Sequence, residues 1–394
     1  MSEAAAQHRP GPPPAPDAPG ALEGIKVLDF SRLFAGPLAS MTLADLGADV
    51  VKVESPGGDE SRHFGPPFLG GEGMNYMALG RGKRSVVLDL KDEADRAKAQ
   101  RLAADADVVI ENFRPGVTAR LGIDYATLSA DNPGLVYCSV TGFDPNGPYR
   151  DRPAFDLILQ GMAGVMSRQG GEGRPQLLVV TIADTYAAAL ATQGILAALY
   201  ARERTGEGQL VEADLFRGIL YSQAYRLVTA AEEVELSAWG DVAPYGAFEA
   251  ADGWFTLAVA TDRNFVRLAE ALGREDLASD PRFATNPDRV GHSEELTAEL
   301  TRTFAAEPVA HWLELLGERG VPCGPVVEVE DLFTDPHLVE TGGIVELEHP
   351  SAGTIWSAGT PFSLSKTPLR VGRPAPRLGE DTDEVLAELE GERR

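Results

Sequence analysis

The sequence predicts an open α/β sheet with helices on both faces, followed by a smaller α+β domain. Three observations carry that reading. Short apolar strands alternate with helical stretches between 25 and 143, the pattern of a sheet covered on both sides. The segments that follow the strands are rich in Gly, Pro, Arg and small polar residues, as befits loops that meet ligands. Beyond 243 the pattern changes to a hairpin signal and amphipathic helices.

Taken in order, "IKVLDF" at 25–30 predicts the first strand, and "GPLASMTLADLG" at 36–47 predicts a helix with a glycine stop. "ADVVKVES" and "RSVVLDL" read as the next strands, the latter followed by a polar helix from Lys91 to Ala104. "ADVVIENF" and "GLVYCSVTGF" extend the sheet. From Asp184 through Arg202 the chain is Ala/Leu-rich and strongly helical, and "RTGEGQLVEADLF" then supplies a turn, a strand and another helix start. "GAFEAADGWFTLAVA" predicts a hairpin turning at "ADG", and 262–272 and 292–318 predict amphipathic helices. The Pro/Gly-rich region from 350 to 380 is expected to run back across the larger domain, ending in a helix at 381–390. The loops contain neither GxGxxG nor GxxxxGK[ST], so no dinucleotide or nucleoside triphosphate is indicated.

At 394 residues two domains are expected, and an apolar fraction of 43% excludes overall disorder. A formal charge of −25 with no long Lys/Arg block makes nucleic acid an unsuitable partner, whereas a few local basic groups can still hold an anionic small molecule. Cys138 and Cys323 lie far apart and suit a reducing cytoplasm, the expected location. No uninterrupted apolar run reads as a membrane span, and the Pro-rich tail at 1–21 lacks the basic-then-apolar order of a secretory signal.

Asp184 stands as the one acidic residue in the apolar run "VVTIADTYAAALATQGILAAL" at 179–199. The residues alone leave two readings open: a helix N-cap, or a held nucleophile or base. Asp151 and Asp156 flank "RPAF", but a spacing of five does not place them on one helical face. The six histidines form no HExxH or other short ligand set, so no metal is expected. Cys323 has no adjacent base, and a GxSxG elbow is missing. The basic loop residues Lys83, Arg84, Arg114, Arg120, Arg150 and Arg152 either converge on phosphate or carboxylate groups or make surface ion pairs.

Several segments in a fixed order change these odds: "GIKVLDFSRLFAGPLASMTLADLGADVVKVESPGGDESR", "GRGKRSVVLDLK", "ENFRPG", "YCSVTGFDPNGPYRDRPAFDLILQGMAGVMSRQG", "IADTYAAALATQGILAALYARERTGEGQLVEADLF" and "GVPCGPVVEVEDLFTDPHL". In these the chain resembles the class III CoA-transferase superfamily, which includes formyl-CoA transferase, the carnitine CoA-transferase family and alpha-methylacyl-CoA racemase. The resemblance spans about 22–385. It implies a Rossmann-like large domain with a smaller inserted α+β domain, in an interlocked homodimer. The corresponding division is a large-domain part at 22–225, a small domain with linkers at 226–340, and a return to the large domain at 341–394.

The resemblance further implies that Asp184 attacks an acyl-CoA thioester, forming a mixed anhydride and then an aspartyl-CoA thioester before the new acyl-CoA is released. CoA would be a substrate rather than a resident cofactor, exchanged between an acyl-CoA donor and a small organic acid. Its candidate contacts are Arg32, Ala35, Lys83, Arg84, Asn112, Phe113, Arg114, Arg120 and Arg150. The rival on the same fold is a 2-methylacyl-CoA racemase, in which a histidine precedes the aspartate of the segment matching "AFDLILQ". Here Phe155 precedes Asp156, and phenylalanine carries no proton. The formyl-CoA transferase loop "GGGGQ" is missing from "YGAFEAADGWF". A CoA-binding scaffold without activity is the contrast outside this chemistry.

Overall fold

In the computed structural model, residues 18–168, 174–227 and 242–391 are described. The tail expected at 1–21 therefore lies outside the described residues except for 18–21, as do residues 228–241 at the start of the small domain expected at 226–340. The chain divides into two compact units, one formed by 1–227 with 336–394 and the other by 228–335.

The first unit is built on six parallel strands: β1 (Lys26–Asp29), β2 (Asp49–Glu54), β3 (Lys83–Val87), β4 (Val108–Glu111), β5 (Val136–Thr141) and β6 (Leu210–Asp214). Their spatial order is 3-2-1-4-5-6, the doubly wound order with its switch point between β1 and β4. Strands buried on both faces need apolar residues at consecutive positions, which "VVI" in β4 supplies. Val108 and Ile110 pack on one side with α1 (Ala35–Asp45) and with the α4 helix at Ile182–Thr205, while Val109 joins Ala99 and Ala103 of α2 (Glu93–Ala104) on the other. Between α2 and α4 lies α3 (Asp156–Met162), and α5 (Leu215–Tyr221) follows β6.

Helix α4 is long and apolar enough to cross a bilayer by length and composition, which the sequence reading had not recognised in this stretch. Its alanines explain its actual placement: Ala183, Ala187, Ala188 and Ala191 are buried and let the helix approach α1 and the sheet closely.

The exposed edge at β3 is closed by the returning chain. Ser85 donates its N–H to Asp381 Oδ2 at 2.8 Å, Asp381 N–H reaches Ser85 O at 3.0 Å, and Val87 N–H reaches Thr382 Oγ1 at 3.1 Å. Upstream, Gly82 N–H donates to Arg373 O at 2.7 Å and Tyr76 Oη to Pro376 O at 3.0 Å, so 370–382 runs back over this unit. An antiparallel hairpin of Ile344–His349 with Gly353–Ala358 precedes it, an element the sequence reading did not contain.

The second unit pairs Tyr245–Glu249 with Trp254–Ala258 antiparallel, as the hairpin signal predicts, and adds Cys323–Pro325 as a third strand. Helices Asp262–Ala271, Ser293–Phe304 and Val309–Glu318 cover it. Its core is aromatic, with Phe255 meeting Phe304 edge-to-face at 4.9 Å and Trp312 Nε1 donating to Phe304 O at 2.8 Å. The predicted 292–318 helix is two helices, because the stretch "AAEP" ends the first and Pro308 sets the start of the second.

Candidate active site

Ligand crevices in doubly wound sheets open where neighbouring strands send their chains to opposite faces. Here that point lies between β1 and β4, and the two loops beyond them are tied together. Arg32 N–H donates to Asn112 Oδ1 at 2.8 Å, and Asn112 Nδ2 donates back to Arg32 O at 2.7 Å. The Arg32 guanidinium lies 4.6 Å from the Phe113 ring centroid and 2.8 Å from Glu60.

The first loop is held from beneath by buried charge. Asp29 accepts from Ser31 N–H at 2.9 Å and from Ser40 Oγ at 2.5 Å, and pairs with Lys83 at 3.2 Å. Lys52 donates to Ser31 O at 2.7 Å and pairs with Asp59 at 2.9 Å. The Lys52 ammonium beside it, with backbone and hydroxyl donors from Ser61, pulls the Asp59 carboxyl down to about 2 despite its burial. This framework keeps Leu33 at φ 67°, a conformation a branched side chain rarely adopts, with its N–H donating to Asp59 Oδ1 at 3.2 Å.

Two adjoining cavities open above these loops. The larger, about 890 Å³, is lined by Arg32 and Ala35, by Asn112, Phe113 and Arg114, by Arg120, by Arg150 to Asp156, and by Asp184. The second, about 550 Å³, shares Arg32, Phe113, Val117 and Arg120 with it and adds Ser55, Asp89, Leu90 and Lys91. The pair forms a two-lobed space with arginine at the junction, suited to a long anionic ligand.

Eight of the ten side chains singled out from sequence line the larger cavity: Asp184, Arg32, Ala35, Asn112, Phe113, Arg114, Arg120 and Arg150. Lys83 and Arg84 do not, and their expected ligand role is corrected. Lys83 is fully buried between Asp29 and Pro37 O, the latter 2.9 Å away. Burial, only partly offset by Asp29, lowers its ammonium to about 8. Arg84 is committed to Asp49 at 2.6 Å and Glu388 at 2.9 Å. The reason is strand direction: both begin β3, whereas the crevice lies beyond its end, where Asp89, Leu90 and Lys91 stand. Lys91 was readable as the first cation after the strand's carboxyl end.

Asp184 is the third residue of α4, so of its two open readings the N-cap does not hold: Thr181 occupies the cap and bonds no backbone N–H with its side chain. The cap arrives from α3 instead, where Asp156 Oδ1 accepts from Ala183 N–H at 2.7 Å. Asp184 itself is half-buried, and its carboxyl makes no hydrogen bond or ion pair among the described residues. Burial, reinforced by the neighbouring Asp156 charge, pushes it up to about 7. The other acids lining this cavity are engaged: Glu60 with Arg32, Asp151 with Arg150 at 3.3 Å, and Asp156 with Ala183 N–H and with Gln160 at 2.5 Å. Phe155 is 63% exposed and forms part of the wall, so no titratable side chain stands at that position. Among the described residues no group of three or more His, Cys, Asp or Glu is arranged to hold a metal ion.

CoA-transferase family III matches residues 22–382. The chain is 41% identical to succinate–glutarate CoA-transferase of Agrobacterium fabrum, covering 94% of this chain and 96% of that protein. It is 38% identical to succinyl-CoA:mesaconate CoA-transferase of Haloarcula hispanica, covering 94% and 96%. In structure it is similar to a CAIB/BAIF family protein from Brucella suis, with a TM-score of 0.85 at 37% identity over 94% of this chain and all of that one.

Proposed function

We infer the reaction from membership: the chain belongs to CoA-transferase family III, and it is an enzyme that moves CoA between an acyl-CoA and a carboxylic acid through a covalent aspartate. We propose that this aspartate is Asp184. The observation that carries the assignment is that, of the four acids lining the larger cavity, Asp184 is the one with no partner among the described residues. A carboxylate on the cavity wall with no protein partner among the described residues is available for attack.

The steps then follow with atoms conserved. The Asp184 carboxylate attacks the donor thioester carbonyl, the C–S bond breaks, and CoA thiolate leaves an acyl-aspartyl anhydride. The thiolate attacks the aspartyl carbonyl of that anhydride, expelling the donor as its free carboxylate and leaving an aspartyl-CoA thioester. The acceptor carboxylate attacks this thioester, giving a second anhydride and thiolate. The thiolate then attacks the acceptor's carbonyl, releasing the new acyl-CoA and free Asp184. Each charged species forms at the first turn of α4, where the helix dipole favours negative charge.

In this reading CoA lies across both cavities, with phosphates near Arg114, Arg120 and Lys91 and the thioester beside Asp184. Donor and acceptor are small dicarboxylic acids, succinyl-CoA and a five-carbon diacid, a choice supported by the names of the two relatives. The working form is an interlocked homodimer in a reducing, cytoplasmic setting. Exposed apolar side chains around the site, Phe155, Leu157, Ile158, Leu177, Val179 and Val180, support a second copy covering them.

Incubation with succinyl-CoA, followed by intact mass and peptide mapping, is expected to place an aspartyl-CoA adduct on Asp184 that is discharged by glutarate. Robust turnover by Asp184→Ala would overturn the assignment.

A further inference from the structure

We propose that Asp156 and Gln160 are positioning residues that set the trajectory of the Asp184 carboxylate; the proposal rests on Asp184 being the nucleophile. Helix α4 leaves orphan N–H groups at its start, and its own cap residue satisfies none of them through its side chain. Asp156 supplies the missing acceptor from 27 residues upstream, bonding the N–H of Ala183, the residue immediately before Asp184. One turn further along α3, fully buried Gln160 straps the segment that leads into the helix. Its Oε1 accepts from Leu178 N–H at 3.0 Å and its Nε2 donates to Leu178 O at 3.0 Å. The same Nε2 donates to Asp156 Oδ2 at 2.5 Å, so the two side chains form one clamp.

The clamp is a geometric device. Residues 178–181 have no regular structure before the helix begins at Ile182, yet both their backbone direction and the helix start are dictated by two side chains of α3. Near-attack geometry is sensitive to displacements of about 1 Å, which cost on the order of 100-fold in rate. Neither clamp residue carries CoA in this arrangement: Gln160 does not line either cavity, and both Asp156 oxygens are already bonded to protein. Loss of the clamp therefore acts on the reacting carboxylate and not on the holding of the donor.

The test uses full-length protein, succinyl-CoA as donor and glutarate as acceptor, with single-turnover formation of the Asp184 adduct followed by quenched mass spectrometry. Asp156→Ala is expected to lower the adduct-forming rate and kcat by roughly 100-fold while the donor KM changes less than about threefold. Asp156→Asn keeps an oxygen that can accept from Ala183 and is expected to recover part of that loss. Gln160→Met, close in volume, is expected to slow adduct formation by about tenfold with the donor KM preserved. Should Asp156→Ala fail to fold, Asp156→Asn and Gln160→Met decide the matter. Wild-type adduct rates in both, or a raised donor KM with unchanged kcat, would overturn the clamp. Absence of any adduct on wild-type Asp184 would instead overturn the nucleophile assignment.

Discussion

Replacing Asp184 with asparagine should stabilise the protein, and should do so only where the carboxyl is ionised. In the folded chain burial and the Asp156 charge raise Asp184 to about 7, against 3.8 for an unperturbed aspartate. Folding therefore takes up a proton between those two values. The penalty is nil below the lower one, grows as pH rises, and is complete above about 7. At roughly 1.4 kcal/mol per tenfold change in proton affinity, the gap between these values gives a ceiling of about 4 kcal/mol. Solvent entering the open cavity makes this an upper bound on the gain for Asp184→Asn at pH 8. Roughly a third of it should survive at pH 5. Urea unfolding of wild type and variant at matched protein concentration, at both pH values, measures the difference. A gain of equal size at the two pH values, or none at pH 8, would refute the idea that the folded state holds this carboxylate at a cost. The same ionisation predicts that single-turnover acylation by wild type rises to a plateau above about pH 7.

Arg120→Ala removes a guanidinium shared by both cavities and should raise the donor KM by about 10- to 100-fold, with kcat less affected, as steady-state kinetics will register. Lys83→Met should behave oppositely, losing about 3–5 kcal/mol in urea unfolding by stranding buried Asp29, with the donor KM of the folded fraction unchanged. Wild type given a 2-methylacyl-CoA in deuterated water without acceptor should show no α-proton exchange by NMR, since Phe155 offers no base.

The sheet was legible because strands buried on both faces must be apolar in unbroken runs, and "VVI" and "VYC" have no other plausible use. Most of the cavity was legible too, since its arginines and Asn112 sit in the loops that follow strands. Lys83 and Arg84 misled because basic residues beside a glycine look like loop cations, and only strand direction tells which end of β3 faces the ligand. Asp184 as a cap was a reasonable inference from helix chemistry, but the acceptor came from Asp156, a partner 27 residues away that no local rule identifies. The hairpin at 344–358 escaped because Glu346 and Glu348, although they alternate with Val345 and Leu347, have low strand propensity.

The charges buried under the first loop also constrain how this enzyme could be re-engineered. Asp29, Lys52, Asp59 and Lys83 interlock, so changing one leaves opposite charges stranded away from water. A library that varies these four positions singly would return mostly destabilised protein, whatever its catalytic merit. Diversity aimed at new acids belongs on the outward side chains of the same loop and at Arg150 to Phe155, where a substitution changes what meets the substrate and leaves the foundation in place.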